Sequence, residues 1–217
     1  MSQTIAAEAA LEGLHASSPQ PLPFAPSVDI RAFVLQRDRG NLLLYSADGL
    51  ASDAAVIDTG RISRQYLNHR HEAMFASDPV TAPLFVHSDE RESVSGTRHV
   101  RGTFSRRHTL DEDFEVIPTP GHTAGATAYL WDSGGHRMLF TGDTLYLRDG
   151  EWVAAVLDSS DRGAYVESLE LLRELDFDVL VPWGATSDQP YFAVTDRADT
   201  RRRIDAILER LRHGEDH

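Results

Sequence analysis

Apolar residues in this chain come in short blocks, and that spacing limits its fold more than any other feature. Runs such as NLLLYSA, APLFVH, FEVIP, ATAYLW, HRMLF and DVLVPW are leucine-, aromatic- or β-branched-rich and are bounded by glycine, proline or polar residues. That is the pattern of strands. VDIRAFVLQ and NLLLYSA flank the turn Arg37-Asp38-Arg39-Gly40 as a hairpin, and ATAYLW and HRMLFTGD form another around Ser133-Gly134-Gly135. AAVIDTG reads as a short buried strand, and QYLNHRH as a strand running into a short helical stretch from about Glu72. Residues 91 to 112, polar and arginine-rich, read as edge strands and loops.

Helical spacing dominates two longer stretches. Tyr165, Leu169 and Leu172 share a face behind the capping candidates Ser159, Ser160 and Asp161. Ile204, Ile207, Leu208 and Leu211 share another on a helix starting near Thr195, with Gly214 at its C-terminal cap. Strands dominate each half and a helix ends each half. The natural layering is two face-to-face sheets with helices outside, an α+β architecture. No repeat is visible, which excludes solenoids and propellers. Residues 1–26, ending in the proline-containing SSPQPLPFAP, read as a flexible lead-in, with one domain over 27–217.

Composition removes whole classes of function. The chain has no cysteine, so disulfides, thiolate ligands and a cysteine nucleophile are all excluded. A metal must be held by His, Asp or Glu. The net charge of −13 repels nucleic acid and anionic lipid, and the arginines at 201, 202 and 203 read as a solvated helix face. No apolar run approaches the roughly 18 residues of a membrane span, and the first residues lack the basic and apolar blocks of a secretory signal. The expected setting is the cytoplasm and the expected partner a small-molecule substrate, with neither nucleic acid nor membrane. Nothing in the sequence sets an oligomeric state.

Three strand-like segments run straight into a metal-ligating residue type. On a strand, His69 and His71 present two imidazoles to one face, a half-site for a borderline divalent metal or a chance surface pair. His122 follows Pro120-Gly121, where glycine lets the chain turn sharply; a histidine in a polar loop is the plainer reading. Asp143 follows Gly142 at the end of an apolar strand, where it suits a metal or a turn cap equally. Strand-end loops on a rigid sheet are where binding residues gather. No phosphate-binding loop, nucleophile elbow or dinucleotide fingerprint is present.

Taken in order, VIDTG, NHRH, TPGHTAG and LFTGDT resemble the metallo-β-lactamase superfamily over about residues 28 to 190. The resemblance implies an αββα four-layer sandwich with metal bound at one edge between the sheets. It matches His69 and His71 to the paired histidines of the family's HxHxDH motif, His122 to the third histidine, and Asp143 to the metal-bridging carboxylate. It also exposes departures. The motif's Asp position holds Ala73 and its final His position Met74. The turn that normally carries the last histidine reads Val181-Pro182-Trp183-Gly184-Ala185-Thr186.

The resemblance therefore implies one divalent metal on His69, His71, His122 and Asp143. Zinc is expected first, with iron or manganese as alternatives. The implied activity is hydrolysis of a small ester, thioester, lactone or amide by a single-metal-activated water. The alternatives are a mononuclear iron dioxygenase and a non-catalytic metal- or metabolite-binding descendant. Glu72 and Asp188 are candidate stand-ins for the missing aspartate, and Trp183 is a candidate pocket residue. Tyr146 and Trp152 suit the pocket mouth or the core. Asp58 reads as a structural acceptor near the site, and His87 as a hydrogen-bonded strand-end histidine.

Overall fold

The computed structural model describes residues 11–75 and 82–215. One six-stranded sheet runs, in spatial order, through Leu14–Ala16, Phe33–Leu35, Asn41–Leu44, Ile62–Tyr66, Leu84–His87 and Val100–Phe104. A second runs through Ala193–Val194, Val179–Pro182, Arg137–Gly142, Thr127–Asp132, Phe114–Pro118 and His108–Leu110. Their facing surfaces share one core. Phe33, Leu42, Leu44 and Tyr66 from the first sheet meet Tyr129, Met138, Phe140 and Val181 from the second.

Strand alternation explains why the apolar runs are continuous. Leu42 and Leu44 point into the shared core, while Leu43 points out to a cluster with Leu50 and Val56. Likewise Phe140 points in, and Leu139 points out beneath the helices. A strand covered on both faces has no polar face to show. Each fully buried leucine or phenylalanine contributes about 1.5–3 kcal/mol of burial, so both outer layers are stabilised by real packing.

The outer face of the second sheet is covered by two helices, Arg162–Glu174 and Arg197–Arg212. Tyr165, Leu169 and Leu172 of the first pack with Ile204, Ile207 and Leu208 of the second on Leu130, Leu139 and Leu180. Each helix begins on an aspartate. Asp161 accepts the N–H of Ala164, and Asp196 accepts those of Ala198 and Asp199. Shorter helices, Ala54–Ile57 and Arg91–Ser95, cover the first sheet through Val56 and Val94. The result is the expected α+β, αββα sandwich. Among the described residues, no helix is long and apolar enough to cross a membrane.

The N-terminal segment departs from expectation. Residues 1–10 lie outside the described residues, but 11–26 are not a free lead-in. Leu14–Ala16 joins the edge of the first sheet beside Phe33–Leu35. Gln20–Leu22 and Ala25–Ile30 belong to a third, five-stranded sheet with Gly184–Thr186, Tyr146–Arg148 and Glu151–Val153. Leu11, Leu14 and Leu22 are buried in the shared core. The prolines misdirect because Pro21 sits on an edge strand, where a missing N–H need cost no ladder bond.

Two further local differences have similar causes. The AAVI of AAVIDTG is one helical turn rather than a strand, capped by Asp53 through the N–H of Ala55; a run that short carries no usable period. The strand before the paired histidines ends at Tyr66, so His69 and His71 lie beyond it. His71 falls in the 3-10 turn Arg70–Phe75.

Candidate metal centre

Three loops at one edge of the sandwich converge. The first carries Asn68 to Glu72. The fully buried Glu72 carboxylate reaches back, accepting the N–H of Asn68 at 2.8 Å and that of His69 at 3.2 Å. This is the back-reaching carboxylate of a helix capping box. It closes the turn and turns both imidazoles toward one point, which strand alternation alone does not do here. Arg70 N–H donates to the buried Glu90, whose other oxygen accepts from Gly125 of the second loop.

The second loop presents His122. Gly121 has φ of 144°, and a Cβ there would lie 2.5 Å from Tyr165 Cα. Only glycine lets this turn pass so close to the helix. Ser168 of the same helix donates to Pro120 O at 2.6 Å. His122 Nδ1 donates to Ala155 O at 2.6 Å, which fixes the tautomer and leaves Nε2 free to face inward.

The third loop presents Asp143. Gly142, at φ 55°, lies against Asn68, and a Cβ would meet the Asn68 Cγ at 2.0 Å. Asn68 donates to Thr127 O and Thr141 O, stitching the first loop to the strand that leaves the second and the strand that enters the third. Tyr45 OH accepts the Gly142 N–H at 2.8 Å and donates to Val181 O at 3.0 Å. Tyr165 OH donates to Thr144 O at 2.7 Å.

At the meeting point, ligand atoms of His69, His71 and His122 all lie within 4.8 Å of one another. His71 Nδ1 is 3.2 Å from His122 Nε2. Asp143 Oδ2 is 3.3 Å from His69 Nε2 and 3.6 Å from His122 Nε2. Both ring nitrogens of His69 are buried without a hydrogen bond of good geometry. Its Nδ1 lies 3.2 Å from Glu72 Oε1. An orphaned buried nitrogen facing two more imidazoles and a carboxylate fits a divalent metal, with Glu72 behind His69 as the carboxylate that orients the ring.

The electrostatics agree. Burial alone would lower the pKa of His69, but Asp143 and then Glu72 outweigh it and push it up to about 10. Burial, with His69 and His122 alongside, pushes His71 down to about 4. His122 is also lowered, by burial and by His69. Burial raises the Glu72 carboxyl against the opposing pull of His69. Asp143 would be raised by its surroundings, yet the imidazoles, His69 foremost, hold it below the usual carboxylate range. Without metal, these shifts favour the proton on His69 over His71 and His122.

Above the cluster opens a cavity of about 420 Å³, floored by His71, His122 and Asp143. Trp183 lines it, as expected, and packs edge-on to His69 with ring centroids 5.6 Å apart. Tyr146 also lines it, whereas Trp152 is buried beneath the helices. Neither proposed stand-in for the missing aspartate reaches the cavity. Glu72 does swing inward, but behind His69, and Asp188 is exposed at a positive-φ turn. Asp58 is exposed at the end of the Ala54–Ile57 turn rather than near the site. His87 accepts the N–H of Asp89 as a strand-end cap.

Ala73, where the resemblance expects an aspartate, is buried against Leu84 and Val94; Met74, in the histidine position, stands at the cavity mouth. The site roles of Asn68, Tyr45 and Tyr165 escaped the sequence reading, because Tyr165 showed only as part of an apolar helix face and a buried polar group at Asn68 or Tyr45 carries no periodic signal. The glycines at 121 and 142, each beside a ligand candidate, were the usable trace.

The family model of the metallo-beta-lactamase superfamily matches residues 52–184. The chain belongs to this superfamily. It is 33% identical over 98 residues to a hydroxyacylglutathione hydrolase of Erwinia tasmaniensis, covering 45% of this chain and 36% of that protein. It is 44% identical over 63 residues to the hydroxyacylglutathione hydrolase of Xanthomonas axonopodis, covering 29% and 22%. The matches thus span well under half of these curated relatives.

Among solved structures, the metallo-beta-lactamase FIM-1 from Pseudomonas aeruginosa in its mono-zinc form superposes with a TM-score of 0.68 at 13% identity, covering 93% of each chain. The metallo-beta-lactamase from Pontibacter korlensis gives 0.65 at 14%, covering 92% of this chain and 96% of that one. At such identities the likeness shows the fold alone.

Proposed function

We propose that this chain is a metal-dependent hydrolase of small thioesters and esters, using one divalent metal held by His69, His71, His122 and Asp143, with zinc as the first choice. The observation that carries this reading is the convergence of three imidazoles and one carboxylate on the floor of a cavity. A divalent metal supplies Lewis acidity there, making a water acidic enough to attack at neutral pH.

The chain's own residues do the rest. His71, held neutral well below pH 7, and His122, held in one tautomer by Ala155, each offer a lone pair without first losing a proton. Asp143 is the one carboxylate among the described residues that lines the cavity. Held below its usual range, it is a weak proton acceptor, and Ala73 offers none. Such a site suits leaving groups that depart as anions. A thiolate, whose parent thiol has a pKa of about 8.5, leaves without help, whereas an amine needs a donated proton. The curated relatives point the same way, since an acylglutathione is a thioester.

The test is a panel of thioesters, esters and anilides presented to the metal-free protein and to protein reloaded with zinc, iron or manganese. Thioester cleavage that chelation abolishes, zinc restores and His122→Ala removes is the expected result. Metal-loaded protein that turns over neither thioesters nor esters would overturn the reading and leave a binding protein.

A further inference from the structure

Of the six large apolar side chains exposed among the described residues, three surround one opening. Phe24 is 75% exposed, Met74 66% and Leu157 42%, and all three line the cavity above the histidines. They come from three separate segments, so no single local accident of sequence gathers them. An exposed apolar cluster of this kind marks a binding surface. The walls below continue it through Val28, Phe75 and Val156.

Among the described residues, polar side chains are confined to the floor, apart from Tyr146 on the wall. No lysine or arginine is among the described residues that line the cavity. A negative charge on the acyl chain, away from the metal at the floor, would find no counter-ion among the described residues and would face the field of a chain of net charge −13. The volume of about 420 Å³ lies in the range of small-molecule sites.

We propose that the cavity selects an uncharged straight-chain aliphatic acyl group, held among Phe24, Met74 and Leu157 with its carbonyl toward the histidines. The placement of the carbonyl rests on the hydrolase reading, while the recognition of the chain does not. Phe24, Met74 and Leu157 are then specificity-determining residues.

The experiment has two arms on the metal-loaded protein. The first measures binding of 1-alkanols from butanol to nonanol by displacement of a neutral apolar fluorophore. The second measures kcat/KM for p-nitrophenyl esters from acetate to octanoate, alongside acyl chains ending in a carboxylate. Both affinity and kcat/KM should rise about fourfold per methylene until the cavity is filled, and the terminal carboxylate should cost at least about tenfold. Phe24→Asp and Leu157→Asp should flatten both series. Leu171→Asp, exposed on the helix away from the cavity, should leave them unchanged. Ester turnover with no chain-length dependence, or with a preference for the carboxylate-ended chains, overturns this proposal while the hydrolase reading stands. Graded alkanol binding without turnover of any ester or thioester supports this proposal and sinks the hydrolase reading instead.

Discussion

Replacing Glu72 with glutamine tests how the site is assembled. Its Oε1 accepts two backbone N–H groups, from Asn68 and His69, and lies 3.2 Å from His69 Nδ1. Glutamine keeps the shape and the accepting oxygen but removes the charge. Hydrogen bonds to charged groups contribute about 1.5–3 kcal/mol and neutral ones about 0.5–1.5, so with two such bonds weakened folding stability should fall by about 2–3 kcal/mol. Metal affinity should fall by about 10- to 100-fold, the usual loss when a carboxylate behind a ligating histidine is removed. In the metal-free variant the His69 pKa should drop from its value of about 10, because one of its two facing carboxylates is gone. Chelator competition reads the affinity, nitrogen-15 spectra of the imidazoles read the pKa, and circular dichroism checks the fold. A folded Glu72→Gln protein with zinc affinity within about twofold of the parent would refute the claim that this carboxylate orients His69.

Other consequences follow from the same geometry. Because His69 alone of the three imidazoles is held protonated at neutral pH, zinc binding at pH 8 should release about two protons per chain, one from His69 and nearly one from the metal-activated water, measured by calorimetry in buffers of different ionisation heat; release of one or none would contradict the imidazolium. In the metal-free protein the lowered His71 and His122 mean that the unfolded chain takes up protons first. Stability is then lost as pH falls below 6.5, through about 4 for His71. The raised His69 acts oppositely, and its contribution is lost as pH rises from 6.5 through about 10. Urea midpoints across pH should therefore peak near neutrality, and a flat profile would count against these assignments. Gly121→Ala should cost at least about 1–3 kcal/mol by overpacking against Tyr165 and weaken metal binding with it; a denaturant midpoint equal to the parent's would show that the turn has slack.

How far the sequence was readable depended on the scale of each signal. The sheets and the two long helices were legible because burial on both strand faces and helical spacing at Tyr165, Leu169 and Leu172 persist over whole elements. Asp53 and its single helical turn were not, since four residues carry no period. The strands around Pro21 were hidden by prolines that an edge tolerates. All four proposed ligands do meet in space, but for a reason the strand pattern did not contain. His69 and His71 are gathered by a carboxylate reaching back from Glu72, not by alternation along a strand. The floor of the cavity was visible in the sequence, and its apolar rim was not. Phe24, Met74 and Leu157 lie far apart along the chain, and only the fold brings them to one mouth.

Metal stoichiometry bears most directly on the claim of a single four-ligand centre. Protein prepared without chelator or histidine tag, reloaded with zinc and desalted, should carry about one ion per chain by elemental mass spectrometry, and His122→Ala should carry none. Two ions per chain would contradict the single-metal reading drawn from the departures at Ala73, Met74 and the Trp183 turn. None, in parent protein that is folded, would show that the meeting of His69, His71, His122 and Asp143 is not a metal centre.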